Sequence, residues 1–210
     1  MIRTRVKICG ITRVCDGLAA AGAGADALGF VFFEKSPRYV SIDKAAEICS
    51  KIPPFVTKVG LFVDANEDMV RRVIDHVHID LLQFHGDESP EFCQNFNLPY
   101  IKAIRAKNRE SILEAIEAHS AALGILIDSY VPGLAGGTGS TFDWSLVPPE
   151  HRSKIILAGG LDTENIAVAI TSIRPYAVDI SGGVEVRKGI KDSEKIYKFM
   201  KEVASADKIY

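Results

Sequence analysis

Short apolar runs rich in strand-forming residues recur along the chain, and amphipathic stretches fall between them. The apolar runs end near Cys9, Phe32, Val63, His85, Arg105, Asp128, Gly159 and Ser181. Between them the spacing of apolar positions predicts helices over Asp16 to Ala23, Ile42 to Lys51, Asn66 to Val77 and Pro90 to Phe96. Further helices are predicted over Asn108 to His119, Thr163 to Ile173, and Asp192 to Ala204. Trp144 to Leu146, followed by Pro148 and Pro149, predicts only a short helical turn. Ser41 with Asp43, Ser89 before Pro90, and Asp162 before Thr163 supply helix-start signals. The polar tail from Ala204 to Tyr210 is expected to fray.

Strands that alternate with helices require crossover connections, and crossovers make parallel sheets. Ala27 to Phe32 and Leu123 to Ile127 are apolar almost throughout, as strands buried on both faces must be. The expected fold is therefore α/β. Residues 1–210 are read as a single domain, a compact (β/α)8 TIM barrel of eight parallel strands. A doubly wound open sheet is the alternative.

Bulk properties narrow the function. The chain has 210 residues, 47% hydrophobic and 25% charged, with a net charge of −2. No basic field points to nucleic acid or to an anionic membrane. No apolar run approaches the length of a membrane span. Cys9, Cys15, Cys49 and Cys93 form no CxxC pair and no zinc spacing. With no signal-peptide core after Met1 to Arg5, a reduced, cytoplasmic setting is expected.

In a barrel of this kind, chemistry sits where strands end. Those ends offer Cys9, the loop Ser36 to Tyr39, Gln83 with His85, Lys102 with Arg105, Asp128, and Asp179 with Ser181. In the first strand Val6 and Ile8 share one face, and Arg5, Lys7 and Cys9 the other. Cys9 by itself reads first as a small buried hydrophobe, with a thiol poised by Lys7 as the alternative; Lys7 could instead pair with Asp179. Asp128 ends an apolar strand, and such surroundings favour a protonated carboxyl, hence a general acid. A turn aspartate is the alternative. Arg38 carries a guanidinium fork suited to a carboxylate.

Glycine-rich turns follow the seventh and eighth strands, at Gly159-Gly160 and Ser181-Gly182-Gly183. Such turns suit a phosphate group cradled by backbone N–H groups. Val131 to Gly139 completes neither a P-loop nor a dinucleotide fingerprint, and reads as a lid over the site or as a surface loop. His85-Gly86-Asp87-Glu88 is poorly spaced for a metal, and its acidic residues are expected at a helix start.

Together these segments resemble the phosphoribosylanthranilate isomerases. The match runs through Lys7 to Thr12, Gly29 to Phe32, Ser36 to Val40, Gln83 to Glu88, Asp128-Ser129, Gly136 to Gly139, Leu157 to Leu161, and Asp179 to Glu185. Phe84 stands where that family more often has Leu, and Gly182 where it often has Ser.

The resemblance implies an Amadori rearrangement of N-(5-phosphoribosyl)anthranilate in tryptophan biosynthesis. It implies Cys9 as general base, Asp128 as general acid and Arg38 as anchor for the anthranilate carboxylate. Gly159, Gly160, Ser181, Gly182 and Gly183 would hold phosphate. No cofactor or metal is implied. The implied partner is a small phosphorylated molecule, with no nucleic acid and no membrane, and the chain would act as a monomer or homodimer. Related phosphate-binding barrels differ in their needs: a synthase of indole-glycerol phosphate requires a Lys and Glu pair, and the histidine-pathway isomerase an Asp at Cys9. A barrel kept only as a binding module would tolerate loss of Cys9 or Asp128.

Overall fold

A computed structural model describes residues 3–129 and 143–208. The glycine-rich segment Val131 to Gly139 lies outside them. Eight parallel strands close into a barrel in sequence order. They are β1 (Arg5–Cys9), β2 (Ala27–Val31), β3 (Thr57–Phe62), β4 (Leu81–Phe84), β5 (Tyr100–Ala106), β6 (Gly124–Ser129), β7 (Ile155–Leu157) and β8 (Ala177–Ile180). The expected barrel is the one observed, and the open sheet is excluded by β1 pairing with both β2 and β8.

Outside the strands run α1 (Val14–Gly22), α2 (Ile42–Cys49), α3 (Glu67–Val77), α4 (Pro90–Cys93), α5 (Arg109–Ala118), α6 (Ile166–Ile173) and α7 (Ser193–Asp207). Ser41 and Ser89 cap α2 and α4 by accepting from the Lys44 and Phe92 amides. Between β6 and β7 the described chain forms only 3-10 turns, Trp144–Leu146 and Pro149–Lys154.

Strand alternation sorts the side chains. Val6, Ile8, Leu28 and Phe30 join the large core between strands and helices. Cys9, Val31 and Leu61 form a small separate cluster inside the barrel, distinct from the deeper layer of Ile101, Leu126 and Ile156. Phe32, Phe62 and Phe84 continue the outer layer as neighbouring rings 5.5 and 6.1 Å apart.

One expectation needs correction, and one element was not expected. The tail does not fray from Ala204. The buried stripe Ile196, Phe199, Val203 and Ala206 carries α7 on to Asp207. There the Asp207 carboxylate accepts from the Thr4 amide at 2.9 Å and the Thr4 hydroxyl at 2.7 Å, tying the helix end to the start of β1. The second difference is a hairpin after β8, formed by β9 (Glu185–Arg187) and β10 (Ile190–Lys191). Gly189, at φ +80, turns it.

Candidate active site

A cavity of about 550 Å³ opens at the carboxyl ends of the strands. Cys9, Arg38, Asp128, Gly159, Gly160, Ser181, Gly182 and Gly183 all line it, together with Gln83, His85 and Asp179. The strand-end search therefore brings most of its candidates to one place, while Lys102 and Arg105 are not among the lining residues.

Cys9 is buried at the last position of β1, opposite Gly29 of β2. A Cβ on Gly29 would lie 2.8 Å from the Cys9 Sγ and 3.1 Å from Lys7 Cε. The missing side chain is thus the space that thiol and lysine occupy. Lys7 pairs in register with Asp179 of β8, and its Nζ donates to Oδ1 at 2.8 Å. Burial pushes the Cys9 thiol above its ordinary range, Lys7 pulls it back, and Asp179 pushes it up again. The net direction is upward, so Lys7 tempers the desolvation of the thiol without overcoming it. Burial also works against the Lys7 ammonium, but Asp179 and Cys9 hold it charged above its usual range.

Asp128 is buried near the end of β6. Its Oδ1 accepts from the Ser129 amide at 2.8 Å. Its Oδ2 lies 3.3 Å from Nε2 of His85. The other ring nitrogen of His85 is 3.1 Å from Nε2 of Gln83.

Both turns of the expected phosphate cup require glycine. Gly159 and Gly160 have φ of +80 and +64. A Cβ on Gly159 would sit 2.5 Å from the Ser129 nitrogen, and one on Gly183 would sit 2.2 Å from the Leu161 carbonyl oxygen. Gly182 to Val184 makes the short 3-10 turn that follows β8. The Ser181 hydroxyl donates to the Cys9 carbonyl at 3.0 Å, so the rim of the cup is tied to the end of β1.

Arg38 reaches the cavity, but its fork meets a carboxylate of the protein itself. Nε and Nη2 donate to the two oxygens of Glu185 at 2.9 and 2.8 Å. Lys191 donates to the same Glu185 at 2.8 Å. Burial resists the Glu185 charge, yet bonds from Arg38 and Lys191 hold its carboxyl below the usual range. Burial in turn pulls the Lys191 ammonium below its usual range despite Glu185.

The Glu185 network on the hairpin was not singled out from sequence, nor were Lys35 and Lys188, which also line the cavity. Lys102, named from its strand, is a strut rather than a wall residue. Its Nζ donates to Glu88 at 2.7 Å and to the Gly86 carbonyl. Glu88 in turn accepts from the Asp64 and Gly86 amides. That buried clamp, not a helix start, accounts for Glu88.

Residues 6–202 match the family model of N-(5'-phosphoribosyl)anthranilate isomerase. The chain belongs to this family. An N-(5'-phosphoribosyl)anthranilate isomerase of Pseudomonas putida is 53% identical over 206 residues, covering 98% of this chain and 100% of that one. The crystal structure of the phosphoribosyl anthranilate isomerase from Thermotoga maritima superposes with a TM-score of 0.88 at 39% identity, over 96% of this chain and 99% of that one. Another solved phosphoribosyl anthranilate isomerase, at TM-score 0.85 and 38% identity over 96% and 99%, holds reduced 1-(o-carboxyphenylamino)-1-deoxyribulose 5-phosphate.

Within this isomerase family, the two departures seen in the sequence have different standing. Phe84 packs outward against Phe62, Phe92, Phe96 and Tyr100, and it is absent from the cavity wall. Gly182 faces the site, and a Cβ there would lie 3.3 Å from Nη2 of Arg38. A serine at this position would crowd the arginine fork.

Proposed function

We propose that the chain carries out the reaction of its family, phosphoribosylanthranilate isomerisation in tryptophan biosynthesis, with Cys9 as general base and Asp128 as general acid. The observation that carries this reading is the convergence of a buried thiol, a buried carboxyl and two left-handed glycines on one cavity.

The chemistry needs two proton transfers. Asp128 protonates the furanose ring oxygen, and the ring opens to a protonated Schiff base. That cation acidifies the neighbouring C2′–H. Cys9, as thiolate, removes the proton and leaves an enolamine, which tautomerises to the 2-keto sugar. Each positioned transfer is worth about 10² to 10⁴ in rate. The phosphate lies against Gly159, Gly160, Ser181, Gly182 and Gly183, where backbone N–H groups can approach it without Cβ atoms. Arg38 meets the anthranilate carboxylate. Its Nη1 lies outside the fork to Glu185, and an incoming carboxylate shares or displaces that fork. Holding both ends of the substrate fixes the reacting carbons between base and acid.

The partner is a small phosphorylated molecule, and the setting of this reading is the cytoplasm. The test is anthranilate fluorescence during turnover of N-(5-phosphoribosyl)anthranilate by active-site-titrated protein. Loss of signal with multiple turnovers supports the reading, and an unchanged signal overturns it.

A further inference from the structure

The proton ledger of this reaction leaves a debt at Asp128. In each turnover Asp128 gives a proton to the ring oxygen, and Cys9 gains the one from C2′. The enolamine settles its own hydrogens, moving one from O2′ to C1′. Substrate and product are isomers, yet the protein ends the cycle with a thiol at Cys9 and a carboxylate at Asp128. Cys9 must lose its proton to water, and Asp128 must regain one, before the next substrate can react.

The surroundings of Asp128 restrict how it regains that proton. Asp128 is buried, and its Oδ1 is held by the Ser129 amide. The remaining oxygen, Oδ2, faces the His85 ring at 3.3 Å. His85 lines the cavity beside Asp128, so the pair meets water whenever product has left. The His85 Nε2 is buried and, among the described residues, has no aligned hydrogen-bond partner. Catalytic hydrogen bonds are often long before substrate is bound.

Gln83 completes the device. It is fully buried, its amide sits 3.1 Å from Nδ1 of His85, and its Oε1 has no partner among the described residues. The amide can present either end to the ring. With Oε1 turned to the ring, Nδ1 carries a hydrogen and Nε2 becomes the basic nitrogen facing Asp128.

We propose that His85 returns the proton to Asp128 between turnovers, with Gln83 fixing the ring tautomer. After the ring oxygen has been protonated, Nε2 faces a bare carboxylate; once product has left, a small displacement of the ring opens Nε2 to water in the cavity, from which it takes a proton. The imidazolium then passes that proton to Oδ2, which restores the acid and a neutral imidazole. His85 acts through Asp128 and touches no reacting atom, so it is a positioning and relay residue. The inference rests on Asp128 being the acid of the reaction.

A step that follows chemistry lowers kcat without lowering kcat/KM. The test mixes excess N-(5-phosphoribosyl)anthranilate with His85→Asn, and with His85→Ala as a second variant, and follows fluorescence from the first turnover. The expected result is a first turnover at nearly the wild-type rate, then a steady rate lower by about tenfold or more. Added imidazole should raise that steady rate in proportion to its concentration. A first turnover slowed as much as the steady rate, with no imidazole rescue, overturns the relay and leaves His85 a structural residue. An unchanged steady rate in both variants also overturns it. Failure of the underlying reading looks different: Asp128→Asn would keep its first turnover.

Discussion

Lys7 donates to Asp179 at 2.8 Å in the buried interior, so the cation nearest Cys9 is already paired. A free lysine would drive the thiol toward thiolate. A paired one only limits the cost of burial, and the Cys9 thiol stays above its ordinary range. Below that raised value the thiol, the proposed base, is mostly protonated, and the thiolate fraction grows as pH rises. The kcat/KM of the isomerase is expected to climb from neutral into alkaline pH. In Lys7→Met the stabilising cation is gone while Asp179 remains, so the thiol should titrate higher still. Thiol titration of Cys9 in the two proteins checks this; no upward shift would contradict it.

Gly29 makes the room in which Cys9 and Lys7 lie. Gly29→Ala would put a Cβ 2.8 Å from Sγ, closer than real contacts allow. The thiol must move, and displacement of a reacting group by about 1 Å can cost on the order of 10²-fold in rate. The expected outcome is a fall in kcat of that size in a protein that still folds. An alanine variant with normal kcat would separate Cys9 placement from β2.

Arg38 is tested by the way its loss divides between kcat and KM. In the role proposed for it, Arg38 makes a charge-assisted contact to the carboxylate that ground state and transition state share, and Arg38→Met removes about 1.5–3 kcal/mol with it. KM should rise by about tenfold or more while kcat changes little. Glu185 keeps its bond from Lys191 at 2.8 Å, so the hairpin should survive. A drop in kcat at constant KM would assign Arg38 to the chemistry instead.

Lys102 and Glu88 form a buried pair at 2.7 Å beneath the loop that carries His85. Lys102→Met leaves an uncompensated buried carboxylate, a loss of about 3–5 kcal/mol. Denaturant unfolding should show a stability loss of that order. A change below about 1 kcal/mol, the usual worth of an exposed pair, would mean that the pair is hydrated rather than buried.

Much of this was legible in the sequence because a parallel barrel ties function to strand ends. Cys9 and Asp128 each close an apolar run, so finding the strands located both. Gly159 and Gly183 announced tight turns, and the structure shows the atoms that exclude a side chain there. The hairpin of Glu185 to Lys191 escaped, since strands of three and two residues carry too little alternation to register. Its effect on Arg38 is a contact across 147 residues, which no local pattern encodes. The extension of α7 was within reach: Ala206 continues the buried stripe of Phe199 and Val203 at helical spacing. The pairing of Lys7 was an open alternative that depended on β8 lying beside β1 in register.

The central claim is that Cys9 and Asp128 exchange the protons of a single rearrangement. Single-turnover fluorescence with Cys9→Ser and Asp128→Asn, both confirmed folded by circular dichroism, tests it most directly. Each first turnover is expected to slow by about 10² to 10⁴. A first turnover within a few fold of wild type in either variant would contradict the assignment of that residue.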